Sequence, residues 1–262
     1  MLLLRSVLFN TLFYGNLILR MIVLSPVYFL LPRNKAYSIP KNWARSSNWL
    51  FAHVNGTHFE IEGMENIPKS GGYILAPKHQ SFWDTFLLLP WLNDPVYILK
   101  RELMWIPLFG WYLWKQRMIP VNRGARGKVM LEVLARTRKE MEAGRQLIIY
   151  PEGTRRPPGA PPEYKYGIAR MYRDLGVPVV PVAMHPGLFW PRRKSVRYPG
   201  HFKVRILPAI MPGLKPDDFF KRLVEETEKA SDELLIEAAR DNPHVPLPPT
   251  AVERLKELQA GS

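Results

Sequence analysis

The sequence predicts an α/β domain whose N-terminus associates with a membrane, and three observations lead there. After Gly56, short β-like runs alternate with longer helical patterns, the habit of a sheet covered by helices. Before that point the chain from Met1 to Pro32 is almost wholly apolar. The chain has 262 residues, 47% hydrophobic and 23% charged. That length supports one sizeable core, and the composition excludes both a disordered chain and a polytopic membrane protein.

The opening stretch is interrupted only by Arg5, Arg20 and scattered Asn, Thr, Ser and Gly. Arg33, Lys35, Lys41 and Arg45 follow it, with no acid before Glu60. A spanning helix needs roughly 20 consecutive apolar residues. Arg20 cuts this run and Pro26 bends the remainder, so the expectation is two short hydrophobic helices dipping into one leaflet. A single spanning helix is the nearest alternative. A cleaved signal peptide fits less well, because the run has no clear small-residue cleavage site. Residues 1–54 are therefore taken as a membrane-associating segment.

Strands are predicted at His58 to Ile61, Tyr73 to Ala76, Val96 to Leu99, Met118 to Val121, Leu147 to Tyr150, Val179 to Ala183 and Lys203 to Leu207. The helix from Gly127 to Ala143 shows an apolar stripe of Met130, Val133, Leu134 and Met141 and stops at Gly144. A second helix starts at Asp217, a good N-cap, and runs through Leu223, Leu234 and Ile236 to Ala239. Residues 55–242 form the expected catalytic domain. The proline-rich stretch Pro243 to Pro249 then leads into a peripheral helix, completing a segment 243–262. No internal repeat is visible.

A net charge of +14 and a pI near 10.0 imply an acidic partner, either nucleic acid or an anionic lipid surface. The cations are dispersed and accompany no nucleic-acid-binding module, which favours lipid. Cations flanking the anchor would each gain on the order of 1 kcal/mol against an anionic leaflet. With no cysteine in the chain, disulfides, thiolate nucleophiles and Cys-based zinc sites are excluded. No metal constellation is visible: His53, His58, His185 and His201 stand at no useful ligand spacing.

Four local patterns carry chemistry. His79 and Asp84 flank Gln80-Ser81-Phe82-Trp83 just beyond an apolar strand. There an imidazole can take a proton from an alcohol while the carboxylate holds its other nitrogen. Taken alone, a His and an Asp five positions apart also read as a surface histidine and a helix-start aspartate. Tyr150-Pro151-Glu152-Gly153-Thr154-Arg155-Arg156 follows another apolar strand. In it Gly153 permits a tight turn, and Thr154 and Arg155 can donate to a phosphate; an ordinary solvated turn has the same local composition. Met118 to Val121 delivers Arg123 at a strand end. Val177 to Val182 carries Pro178 and Pro181, which suit a sheet edge or bulge.

In this order the four patterns resemble the blocks of the glycerolipid acyltransferase family that includes 1-acylglycerol-3-phosphate acyltransferases. The resemblance spans Asn55 to Ile210, and the N-terminal attachment also looks like that of bacterial members. It implies a single domain with a mixed sheet flanked by helices, plus an apolar two-helix anchor. It makes His79 and Asp84 the catalytic pair. Arg123, Glu152, Gly153, Thr154 and Arg155 become the site of the acceptor phosphate, with Lys165 as a lesser member, and Pro181 centres the fourth block. The implied reaction is direct transfer: His79 deprotonates the sn-2 hydroxyl of a lysophosphatidic acid-like lipid as it attacks a thioester of CoA or acyl carrier protein, with no other cofactor. An anionic membrane surface is the implied partner and the cytoplasmic face of the cell membrane the implied location.

Two departures from the family pattern stand out. Arg117 replaces a frequent Gly and Arg156 a frequent Ser, and both are expected to add charge near the phosphate. Lyso-ornithine lipid, glycerol 3-phosphate or another lysophospholipid stay open as acceptors. A nonenzymatic basic lipid-binding module would explain the anchor and the charge but leave His79 and Asp84 without a purpose. A serine hydrolase is disfavoured because Ser81 lies in no Gly-x-Ser-x-Gly turn.

Overall fold

The computed structural model describes residues 1–121 and 128–260. Seven strands form one sheet: β1 (Thr57–Glu62), β2 (Tyr73–Pro77), β3 (Pro95–Lys100), β4 (Ile119–Val121), β5 (Gln146–Ile148), β6 (Val179–Met184) and β7 (Gly200–Ile206). Their order is β1-β7-β6-β2-β5-β3-β4. Every neighbouring pair is parallel except β6 and β7, so the sheet is mixed. Each predicted strand is found, with ends shifted by up to three residues.

The central strands β2, β5 and β6 are buried throughout, as parallel strands with helices on both faces must be. Successive side chains of β2 alternate between the two sides. Tyr73 and Leu75 join a core with Trp83, Phe189 and Phe202, whereas Ile74 and Ala76 join another with Ile168, Tyr172 and Phe219. The second core is closed by α6 (Lys128–Glu142), α7 (Gly167–Leu175) and the first half of α9 (Pro216–Asp241). The α9 helix begins with Lys215 as N-cap and Pro216 in its first turn, so Asp217 lies inside the helix. The first core is closed by the second half of α9, the short α8 (Pro186–Phe189) and the N-terminal helices. It also takes in Val245 and Ala251, the latter on α10 (Pro249–Ala260).

Proline in β6 needs an account, because β6 is an interior strand, which leaves the bulge of the two expected settings. Val179 exchanges both backbone hydrogen bonds with Ile210. Two residues on, alternation turns the Pro181 ring to that same side, where β7 has already ended at Ile206. Leu207 N–H still donates to the Pro181 carbonyl, and one β6 residue then faces two before the Val179–Ile210 pair, so the missing N–H falls at a bulge.

The N-terminus differs from expectation. One helix, α1 (Leu2–Val23), runs unbroken through Arg20, and it alone among the described residues is long and apolar enough to cross a membrane. A short α2 (Ser25–Leu30) and α3 (Arg33–Ala36) turn the chain into α4 (Ser38–Leu50), which is amphipathic; two apolar dipping helices are not found. The polar interruptions explain why. Ser6, Asn10, Asn16 and Arg20 recur at helical spacing on one face. Ser6 bonds Arg197, Asn10 bonds Ser195, Asn16 bonds Ser46, and Arg20 bonds Asn16 on its own helix. Phe9 and Phe13 on that face are fully buried against Phe51, Phe86 and Trp190. The opposite face, with Leu8, Leu12, Leu19 and Ile22, is exposed.

Candidate active site

Strands β2 and β5 are parallel neighbours, with Leu75 opposite Ile148. The loops that follow them must therefore emerge side by side at the same sheet edge, where open α/β sheets bind their ligands. This pairing brings His79 and Thr154-Arg155 together across seventy-odd residues of chain. Arg123, which follows β4, lies outside the described residues.

Beyond β2 the chain turns sharply, and the Asp84 carboxylate fills the turn. Its Oδ2 accepts the backbone N–H of Gln80 at 2.6 Å and of Ser81 at 3.0 Å, and lies 3.1 Å from His79 Nδ1. A carboxylate in that place fixes the imidazole with its proton on Nδ1 and leaves Nε2 as the basic nitrogen. The His79 ring stacks on Tyr150 at 4.1 Å between centroids. Tyr150 in turn donates its hydroxyl to the Asp84 carbonyl at 3.0 Å, and burial holds its phenol well above the usual range. Further out, Ser81 Oγ bonds the Trp190 carbonyl and Trp83 Nε1 bonds Asn48 of α4. The pair is thus held by groups from the loop after β5, from α4 and from the segment after α8.

The second loop turns at Gly153, whose φ of 69° is the left-handed conformation that glycine adopts without steric cost. Past this turn the side chains part. Thr154 and Arg155 face the cavity beside His79. Glu152, grouped by the sequence reading with the phosphate site, is buried facing Lys78, with Nζ and Oε1 2.7 Å apart. Lys78 also reaches Glu228 of α9 at 2.6 Å, and Tyr164 donates to the same carboxylate. Burial would depress the Lys78 ammonium, but the two carboxylates outweigh it and hold it above the usual lysine range. This ion pair ties the residue next to His79 to the residue beside the Gly153 turn. A backbone bond from Arg156 N–H to the His79 carbonyl, at 2.7 Å, does the same from the other side.

Neither family departure adds charge to the cavity. The Arg156 guanidinium pairs with Glu163 at 2.9 Å. Arg117 is exposed in the turn after α5 (Phe109–Lys115), where its φ of 55° accounts for a glycine preference. Lys165 is exposed, its backbone N–H bonded to the Pro151 carbonyl. Pro181 is buried inside β6, opposite Ala76.

The His79 side opens on a cavity of about 550 Å³. Phe82, Phe86, Tyr97, Leu103 and Met118 line its apolar body, and Leu17, Met21 and Tyr28 of α1 and α2 complete one wall. At the His79 end stand Thr154, Arg155 and Arg192. Arg192 donates to the Arg155 carbonyl at 3.0 Å. Among the described residues neither guanidinium has an acidic partner. Burial and the neighbouring Arg192 depress the Arg155 guanidinium from its ordinary pKa. Two converging cations without a counterion, beside a histidine–carboxylate pair and an apolar cavity, suit an anionic amphiphile.

The acyltransferase family model matches residues 58–185, from β1 to just past β6, a stretch that carries both loops. Over 183 residues the chain is 37% identical to the 1-acyl-sn-glycerol-3-phosphate acyltransferase of Pseudomonas aeruginosa, covering 69% of this chain and 70% of that one. The chain belongs to the acyltransferase family. The mouse 1-acyl-sn-glycerol-3-phosphate acyltransferase alpha is 31% identical over 63% of this chain and 60% of its own length, so less than two thirds of that relative is spanned. A crystal structure of the 1-acyl-sn-glycerophosphate acyltransferase of Thermotoga maritima shares the fold, with a TM-score of 0.73 over 89% of this chain and 99% of that one at 24% identity.

Within this acyltransferase, sequence reading missed Arg192 and Lys78. Arg192 belongs to the run Pro191-Arg192-Arg193-Lys194, the one local sign of a cationic lip. His185 is fully buried behind the site. Gln80 Nε2 lies 3.0 Å from its Nδ1 and the Ser231 carbonyl 2.7 Å from its Nε2, and burial pushes it down to about 4.

Proposed function

We propose that this chain is a 1-acyl-sn-glycerol-3-phosphate O-acyltransferase, moving an acyl group from a thioester of CoA or acyl carrier protein to the sn-2 hydroxyl of lysophosphatidic acid. The observation that carries this reading is that one cavity is lined by His79, by apolar side chains and by Arg155 and Arg192, which lack a salt-bridge partner among the described residues. Such a site can hold an acyl chain on one side and a phosphomonoester on the other. His79 removes the hydroxyl proton as the oxygen attacks the thioester carbonyl. Asp84 holds the tautomer and balances the imidazolium, and the proton passes to the departing thiolate. General-base assistance of this kind is worth roughly 10² to 10⁴ in rate. Arg155, Arg192 and Thr154 orient the phosphate so that one hydroxyl faces Nε2, the positioning part of the rate; Arg123 joins them in the reading from resemblance.

The attachment is monotopic in this reading. The domain contacts α1 from Ser6, bonded to Arg197, to Met21, whose carbonyl accepts the Tyr112 hydroxyl, so the helix cannot cross a bilayer free of it. Its exposed face lies in the cytoplasmic leaflet, where anionic lipid meets the surplus positive charge. One experiment tests the activity: the full-length protein is given a labelled acyl thioester and a panel of lysophosphatidic acid, glycerol 3-phosphate, lyso-ornithine lipid and lysophosphatidylcholine. Phosphatidic acid from the first acceptor is the expected product, and acylation of lysophosphatidylcholine in preference would overturn the phosphate assignment.

A further inference from the structure

Three tryptophans stand exposed within ten residues of one another: Trp105 at 71%, Trp111 at 59% and Trp114 at 72%. We propose that they form a second membrane-seating surface, which takes the boundary between headgroups and acyl chains of an anionic bilayer. The proposal rests on the monotopic reading above and extends it to a part of the chain outside the N-terminal segment.

The three rings belong to one rigid unit. Gly110 lets α5 close onto the preceding turn at Arg101–Trp105, since a Cβ there would lie 2.0 Å from the Met104 carbonyl. On α5, Tyr112 and Gln116 face inward. The Tyr112 ring stacks on Tyr28 of α2 at 3.8 Å, and Gln116 Nε2 donates to the Tyr28 hydroxyl at 2.9 Å. Trp111 and Trp114, three apart, are left on the outer face. The patch is continuous with the exposed apolar residues of the N-terminal helices, because Lys115 caps the Phe29 carbonyl at 2.9 Å and exposed Leu30 follows. Exposed Lys100, Arg101 and Arg117 flank the segment in sequence, and Glu102 is the one acid between them. Indole rings with an apolar body and one N–H, bordered by cations, are suited to an anionic interface. No cavity-lining role is lost by placing these rings in lipid, since none of the three lines the cavity.

The test compares the full-length wild type with Trp105→Ser/Trp111→Ser/Trp114→Ser, with Trp114→Ser alone, and with Trp91→Ser, which removes an exposed tryptophan outside the patch. Vesicles of phosphatidylcholine and phosphatidylglycerol carrying brominated acyl chains quench tryptophans at the interface. The wild type and Trp91→Ser should be quenched on binding, and the triple variant should lose that increment. For acceptor presented in vesicles, the triple variant should raise the apparent KM about tenfold and Trp114→Ser about threefold. For detergent-dispersed acceptor both should stay within twofold of wild type. Equal quenching and equal vesicle KM in wild type and triple variant would overturn the surface. So would a vesicle KM unchanged in Trp114→Ser, should the triple variant fail to fold. Wild type inactive on every lyso acceptor in detergent, yet quenched as expected, would sink the activity and leave the surface standing.

Discussion

The two sides of the site are built on opposite rules. On the floor, His79, Asp84, Lys78, Glu152 and His185 are buried or nearly so, and each is tied to partners on other elements. At the lip, Arg155 is half-buried and Arg192 exposed, and neither forms a salt bridge among the described residues. A general base works only if its nitrogen is held within a few tenths of an ångström, which takes many redundant contacts. An anion-binding lip works only if its positive charge is not already neutralised by the protein. Order is concentrated where a proton moves, and spare charge is left where a phosphate arrives.

Breaking the floor should cost most. His79→Ala is expected to lower kcat by roughly 10² to 10⁴-fold with little change in the denaturation midpoint, and Asp84→Asn should come close to it because an amide cannot balance the imidazolium. Steady-state rates beside thermal melts check both. Wild-type-like turnover in Asp84→Asn would remove the charge argument.

Next comes the buried ion pair behind the base. Lys78→Met leaves Glu152 and Glu228 without their cation, a loss on the order of 3–5 kcal/mol in stability. The triple change Lys78→Met/Glu152→Gln/Glu228→Gln should recover much of it in urea denaturation; no recovery would mean that packing, not charge, holds the two loops together. His185 adds a pH dependence of its own. Its folded pKa near 4 lies below the ordinary 6.5, so the unfolded chain binds the proton first. Stability is full above pH 6.5 and falls as pH drops toward 4, by on the order of 3 kcal/mol. In His185→Gln that part of the slope should vanish, and an unchanged slope would assign it to carboxylates.

At the lip the effects are smaller and fall on binding. Arg155→Ala and Arg192→Ala should each raise the acceptor KM about tenfold, the scale of one charge-assisted hydrogen bond, with kcat and donor KM little moved. The Arg192 effect should shrink in high salt, being exposed. A raised donor KM instead would give the lip to the thioester. Smallest of all is Arg117→Gly, expected to stabilise by about 1 kcal/mol by relieving a left-handed residue without touching either KM. Any change in acceptor KM would put Arg117 at the lip after all.

How much of this was legible depended on sequence separation. His79 and Asp84 lie five residues apart, and Gly153 to Arg155 are adjacent; each stretch was visible but ambiguous alone, and the order of the four patterns, through the family resemblance, picked them out. The central strands β2, β5 and β6 were visible because burial on both faces leaves continuous apolar runs, and β7 because buried and half-buried positions alternate. Lys78 and Arg192 were not, since their roles come from partners 74 and 37 residues away, Glu152 and Arg155. Glu152 was placed on the wrong side of its loop because a motif gives order along the chain and not the direction of a side chain past a glycine turn. Reading α1 as broken at Arg20 treated a cation in an apolar run as a punctuation mark. The spacing of Ser6, Asn10, Asn16 and Arg20 held the better answer, one polar face that docks on protein.

That docking face has a consequence for the order in which the molecule is made. Phe9 and Phe13 on α1 pack against Trp190, which leaves the ribosome some 180 residues later. At about 5–20 residues per second, α1 waits on the order of ten to forty seconds for the residue that covers it. Until then Phe51 and Phe86 can cover only part of the docking face, and the face with Leu8, Leu12, Leu19 and Ile22 stays bare. The N-terminal helix is thus made long before the domain on which it docks, and its final covering waits on a residue near the end of the sheet.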